Sequence, residues 1–256
     1  MNTQKQNSVI QLESVSVSYG NKRILANVYL SIESGHIYGI VGPNGAGKST
    51  LYKAMLDLIP IDAGNISFWG GPVDSAKKKI AYVPQKEEVD WTFPATVKDI
   101  VSMGRYPHLG FLQKFGKKDR EIVQNAMMDL GIEKFKDRQI GALSGGQQQR
   151  VFIARALAQE ADVFLLDEPF VGIDVTTEQK IIEILKALSQ AGKTLMVIHH
   201  DLSSVPNYFD KVILLNQRII GYGDTRKIFT PENIETTFQS QLPIIHKTGG
   251  LKKKAK

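Results

Sequence analysis

Cysteine is absent from the 256 residues. That removes a disulfide framework and any thiolate metal centre, and it suits a reducing compartment such as the cytoplasm. Long apolar runs are absent too. The longest, Val163–Leu166, Leu195–Ile198 and Val212–Leu215, have strand length, far short of the ~18–20 residues that span a bilayer. Met1–Ser8 is polar and lacks the apolar core of a signal peptide. Acidic residues are missing from the C-terminal tail, residues 241–256, where Lys247, Lys252, Lys253, Lys254 and Lys256 gather. The formal charge of +6 falls to +1 once those five are set aside. The body is therefore nearly neutral, and no nucleic-acid partner is expected. The tail reads as a solvated, disordered end. What remains is 42% hydrophobic and 23% charged, the composition of an ordinary globular protein.

The chain opens with strand-like alternation over Val9–Ser18, turns at Gly20-Asn21-Lys22, and continues as a second strand, Ile24–Glu33. Ser34-Gly35 leads into Ile37–Val41, a short apolar run of the kind buried on both faces of a parallel sheet. Further strands are expected at Asn65–Trp69, Ile80–Val83, Val163–Leu166, Thr194–Ile198 and Lys211–Leu215. Helices are expected at Lys48–Leu58, Ser144–Gln159 and Glu178–Gln190, the last with Thr176 and Gln179 spaced as a capping box. Between them the texture turns helical, at Thr96–Arg105 and Lys117–Leu130. The expectation is an α/β fold over residues 1–240: a parallel sheet, an antiparallel β subdomain, and a helical subdomain inserted at about 88–145.

The chemistry centres on Gly42-Pro43-Asn44-Gly45-Ala46-Gly47-Lys48-Ser49-Thr50, between a buried strand and a helix. Its glycines permit a tight turn whose backbone N–H groups face an anion. The helix adds its positive end, Lys48 a point charge, and Ser49 a hydroxyl able to ligate Mg²⁺. This GxxxxGK[ST] phosphate loop implies a bound nucleoside triphosphate. Strand Val163–Leu166 delivers Asp167-Glu168-Pro169 beyond the carboxyl end of the sheet. There Asp167 is placed to hold Mg²⁺ and Glu168 to polarise an attacking water. Leu143-Ser144-Gly145-Gly146-Gln147 opens a helix, with Ser144 and Gln147 fitting a capping box. Two glycines in a first turn cost up to ~1 kcal/mol each, but they let an anion reach bare N–H groups. One chain thus carries two phosphate-binding elements and a single phosphate loop. His199-His200-Asp201 invites a metal reading, but neighbours leaving a strand point to opposite faces.

GPNGAGKST, LSGGQ and FLLDE in this order resemble the ATP-binding subunit of ATP-binding cassette (ABC) transporters, over roughly Val9 to Thr230. The resemblance implies the phosphate-loop NTPase fold of an ABC cassette, with ATP and Mg²⁺ as cofactors. It implies that Tyr19 stacks on adenine and that Gln85 senses Mg²⁺ and the membrane partner. Asp174 would communicate across a dimer, and His200 would act near the γ-phosphate. Glu168, His200, Lys48 and Gln85 are then the catalytic set, and Ser49, Gln85 and Asp167 the Mg²⁺ set. Two copies would sandwich each ATP between the phosphate loop of one and Ser144–Gln147 of the other. Val171-Gly172-Ile173-Asp174 departs from the Ser-Ala-Leu-Asp commoner in the family.

Asp90-Trp91-Thr92-Phe93-Pro94 and Thr96–Tyr106 are similar to the branch that imports manganese, zinc or iron, manganese foremost. Trp91, Phe93 and Met103 suit either a groove for a membrane subunit's cytoplasmic helix or the core of the helical subdomain. The implied assembly is a homodimer at the cytoplasmic face of the membrane, joined to integral permease subunits and indirectly to an extracytoplasmic metal-binding protein. The rival class is a soluble ABC ATPase without a membrane partner, such as an iron–sulfur assembly type.

Overall fold

The computed structural model describes residues 8–110 and 113–238; the basic tail lies outside them. Strands β1 (Ser8–Tyr19) and β2 (Lys22–Glu33) form an antiparallel hairpin, and β4 (Ala63–Phe68) pairs with the other edge of β1. Their alternation turns Leu12, Val17, Val28 and Ile32 inward, each almost fully buried. Tyr19, at the hairpin's end, stays half exposed.

Between β2 and β4 run β3 (Ile37–Val41) and helix α1 (Lys48–Met55), which stops before the expected Leu58; Asp57 already has a positive φ of 56°. After α2 (Val73–Ala76) comes β5 (Ile80–Val83), then the helical segment: α3 (Val97–Ser102), α4 (Lys117–Asp129) and α5 (Gly145–Ala158). The alternating part follows with β6 (Val163–Asp167), α6 (Val175–Gln190), β7 (Thr194–Ile198), α7 (Val205–Tyr208) and β8 (Lys211–Asn216). The described chain ends with β9 (Arg218–Asp224), α8 (Thr225–Ile228) and α9 (Pro231–Phe238).

The six-stranded sheet has the order β5-β6-β7-β3-β8-β9. All neighbours are parallel except β9, which runs antiparallel to β8. Period-two alternation divides its side chains between two cores. Tyr38, Ile40, Leu165, Met196 and Ile213 meet α1 and the outer β layer. Val41, Leu166, Val197 and Leu214 meet α6 and the helical subdomain. Continuous apolar runs were needed because both faces are covered, each buried side chain contributing ~1.5–3 kcal/mol.

Two expectations are corrected. Helix α6 begins at Val175 rather than Glu178, and its cap is Asp174, whose carboxylate accepts the Thr177 N–H at 2.9 Å; Thr176 and Gln179 form no box. The helix expected over Thr96–Arg105 becomes 3₁₀ from Met103 to His108. There Gly104 backs directly onto the Arg155 carbonyl of α5, an approach that any Cβ would block. Trp91 packs edge-on against Phe152 at 5.3 Å, and Met103 lies against the same core; Phe93 alone of the three is exposed.

Arg105 ties these helices together. Its side chain is buried, and it donates to Asp119 at the start of α4 (3.0 Å), to the Ala158 carbonyl ending α5 (2.8 Å) and to Glu160 (2.8 Å). Removing it leaves the Ala158 carbonyl without that donor and takes one of two partners from Asp119, which keeps the Gly116 N–H. Arg105→Met is therefore expected to lower stability by about 3 kcal/mol in urea unfolding. A loss under about 1 kcal/mol would show the cluster to be dispensable.

Candidate nucleotide site

The carboxyl ends of β3, β6 and β7 and the tip of the β1–β2 hairpin enclose an open cleft of about 740 Å³. Tyr19, the loop residues Asn44–Thr50, Gln85, Glu168 and His200 line it. The expected residues from five separate stretches are thus brought to one place. Lys22 and Ile24 line it as well; the sequence reading missed them, although Lys22 is the hairpin partner of Tyr19.

The loop's backbone is set by glycine. Gly45 and Gly47 have φ of 79° and 96°, left-handed values that side chains resist. At Gly42 a Cβ would collide with the Leu215 carbonyl oxygen. Lys48, only 6% exposed, donates to the Gly42 and Pro43 carbonyls at 2.8 and 3.0 Å. Those bonds fold the loop around the ammonium, and burial pushes its pKa down against the raising influence of Glu168 and Asp167. Two of the three ammonium N–H groups are thus engaged, and one is left for a further acceptor.

Asp167 ends β6 fully buried beneath the cleft. Burial raises its carboxyl to about 6 from 3.8, with the Ser49 hydroxyl opposing the rise and Glu168 adding to it. Ser49 is near enough for that influence, yet neither carboxylate oxygen has a hydrogen bond of ordinary geometry. A buried carboxylate without donors is what a cation would complete. With the Ser49 hydroxyl and the Gln85 amide it makes an all-oxygen donor set fitting Mg²⁺.

Glu168 follows with φ of 51°, unusual for a non-glycine residue and a mark of strain at a working site. Its carboxylate accepts the Nε2–H of His200 at 2.5 Å. His199 points the other way, buried against Phe170, Tyr208 and Phe209, its Nε2 2.6 Å from the Ser204 hydroxyl. The adjacent histidines therefore do not share an ion, and among the described residues no cluster of three His, Asp or Glu forms a metal site.

Ser144, Gly145, Gly146 and Gln147 lie outside the cleft. Ser144 and Gln147 do form the expected capping box. Gly146 has a packing reason in addition to any anion: a Cβ there would come within 2.8 Å of the Gly172 carbonyl oxygen, whereas one on Gly145 would meet only the movable end of the Lys86 side chain.

The family model described as ABC transporter matches residues 25–171. The chain belongs to the ABC transporter family. Its activity is accordingly that of an ABC ATPase. A manganese transport system ATP-binding protein of Halalkalibacterium halodurans is 47% identical over 94% of this chain and 96% of its own length. A zinc transport system ATP-binding protein of Treponema pallidum is 46% identical over 91% and 88%. Among solved structures, cbiO1 of Clostridium perfringens, part of an ABC transporter complex, superposes with a TM-score of 0.73 at 28% identity, covering 93% and 97%.

Asp167 makes the site sensitive to pH. The folded chain keeps this proton between about pH 4 and 6, where the unfolded chain has lost it. Its contribution is thus greatest at low pH and is lost as pH rises through about 6. Ionisation costs the nucleotide-free fold about 3 kcal/mol, to order of magnitude. Mg²⁺ requires the ionised form, so its benefit runs the opposite way. Adding Mg²⁺ to the ATP-saturated subunit should raise Tm at about pH 5 by less than half the rise seen at about pH 7.5. Equal increments would remove Asp167 from the cation's ligands.

Proposed function

We propose that this chain is the ATP-hydrolysing subunit of a membrane importer for a transition-metal ion, manganese first and zinc or iron after it. Family membership supports the ATPase, and the cleft supports its assignment to residues. Phosphates lie on the Asn44–Thr50 backbone and Lys48, and adenine against Tyr19. Mg²⁺ supplies charge neutralisation when held by Ser49, Asp167 and Gln85. Glu168 takes a proton from the attacking water, and its bond to His200 aims the carboxylate. Relatives named for manganese transport support that metal over zinc.

The observation that carries the mechanism is a separation. Ser144–Gln147, the second phosphate-binding element, is not in the cleft that holds Lys48 and Glu168. In the proposed homodimer it completes the partner's site, so ATP touches both copies only when they close. Binding then favours closure by its differential contacts, and hydrolysis releases it. Permease subunits at the cytoplasmic face of the membrane convert that motion into transport. No helix among the described residues is long and apolar enough to cross a membrane itself.

Glu168→Gln is expected to slow hydrolysis about 100-fold or more and to hold an ATP-bound dimer detectable by light scattering. A variant that turns over normally, or stays monomeric with saturating Mg·ATP beside its permease, would overturn the scheme. Metal uptake by cells lacking the gene tests the cargo. Loss of manganese accumulation alone is expected; loss of zinc alone would move the assignment. Unchanged uptake of both, with no multispanning protein co-purifying in detergent, would favour the soluble ATPase class.

A further inference from the structure

Near the Asp167 carboxylate, and not lining the cleft, stand two tyrosines that the mechanism above does not use. Tyr52 belongs to α1, one turn after Lys48, and is completely buried. Tyr82 belongs to β5, in register with Leu165 of β6, so period-two alternation puts it on the same sheet face as Leu165 and Asp167. The two rings meet edge to face at 6.3 Å. Both hydroxyls are shielded from solvent, and neither has a hydrogen-bond partner. The Leu166 backbone adjoins the Tyr52 hydroxyl without a bond of ordinary geometry, which places that hydroxyl one residue from Asp167. Burial raises both phenols above their usual pKa, and the charge of Asp167 adds to the rise in each.

Among the described residues, five buried side-chain polar atoms lack partners, and four of them are these two hydroxyls and the two Asp167 oxygens. Unsatisfied buried groups are rare enough that a cluster of them needs a reason. Here the inventory is complementary, two donors and two acceptors in one buried neighbourhood, not bonded to one another in the nucleotide-free chain. The geometry points to Tyr52 and Tyr82 as positioning residues that hold the Asp167 carboxylate for the Mg²⁺ of Mg·ATP. This inference rests on the proposed role of Asp167. With one carboxylate oxygen given to the cation, the other needs a donor, and the phenols beside it are the unpartnered donors. Outer partners of this kind set the orientation and basicity of a ligand. In the nucleotide-free chain the same hydroxyls are left without acceptors and weaken the fold.

The two states therefore give opposite signs, which a purely structural tyrosine would not. Tyr52→Phe, Tyr82→Phe and the double variant keep the rings and remove the oxygens. The first readout is the Mg²⁺ concentration that half-saturates the Mg²⁺-dependent tightening of a fluorescent ATP analogue. It should rise about tenfold in the double variant, while affinity without Mg²⁺ stays unchanged. The second is urea unfolding without nucleotide or metal, where the variants should equal or exceed the parent in stability. An unchanged Mg²⁺ midpoint in the double variant overturns the inference. So does a shifted midpoint accompanied by equal loss of metal-free binding, which would mean a distorted phosphate loop. Should Tyr52→Phe fail to fold, Tyr82→Phe alone must still raise the midpoint. A parent whose nucleotide binding ignores Mg²⁺ would overturn the assignment of Asp167 as well, and that outcome is read before any variant is made.

Discussion

Two opposite charges removed from water face each other at the end of a sheet, and the site depends on that arrangement. Lys48 is buried with only carbonyls for partners, and burial lowers its pKa. Asp167 is buried with no donors, and burial raises its pKa. Each group is pushed toward neutrality, and each pulls the other back toward charge. A polyphosphate against the lysine and a divalent cation against the aspartate would relieve both at once. The pair is thus poorly satisfied alone and well matched to a metal–nucleotide complex. Lone nucleotide would serve the lysine and leave the aspartate worse off.

The sheet accounts for how side chains far apart in sequence arrive together. Asp167 of β6 lies in register with Ile198 of β7. Two parallel strands ending at the same level must release their next residues side by side. Glu168 and His199 leave at that level, and His200, one residue further on, reaches the Glu168 carboxylate while Phe170 packs on His199. β3 pairs with both β7 and β8, so the phosphate loop leaves the sheet at that same level. Alternation then sorts His199 downward into an aromatic core and His200 upward into the cleft. Chemistry is placed here by register, which the two apolar layers enforce, because a slip of one residue would exchange the faces.

Much of this was legible in the chain. Strands buried on both faces announce themselves as unbroken apolar runs, and the phosphate loop, Asp167-Glu168 and the Ser144–Gln147 box carry local signals that tertiary structure left intact. The misreadings share a cause: two local solutions of similar quality, decided by distant contacts. At α6, Thr176/Gln179 and Asp174/Thr177 are both plausible caps, and exposed Val175 gives the apolar pattern no vote. At Met103–Tyr106 helical propensity continues, but the close approach of Gly104 to α5 and the anchoring of Arg105 reshape the turn. Strand β9 was missed because Gly221 and Gly223 interrupt its pattern; both lie against Ile228, a contact that exists only after folding.

Gly145 and Gly146 show how one motif can carry more than one reason. Bare N–H groups for an anion looked sufficient to explain them. The structure adds a second demand at Gly146, where the Gly172 carbonyl crowds any Cβ; at Gly145 only the movable end of the Lys86 side chain stands in the way. Those contacts tie the start of α5 to the segment after Gln85 and to the loop after Glu168, both of which border the nucleotide cleft. Glycine at 146 therefore serves the packing within one chain whether or not a phosphate arrives. At Gly146 the consequence is mechanical: the start of α5 cannot move toward the loop after Glu168 without pressing on the Gly172 backbone.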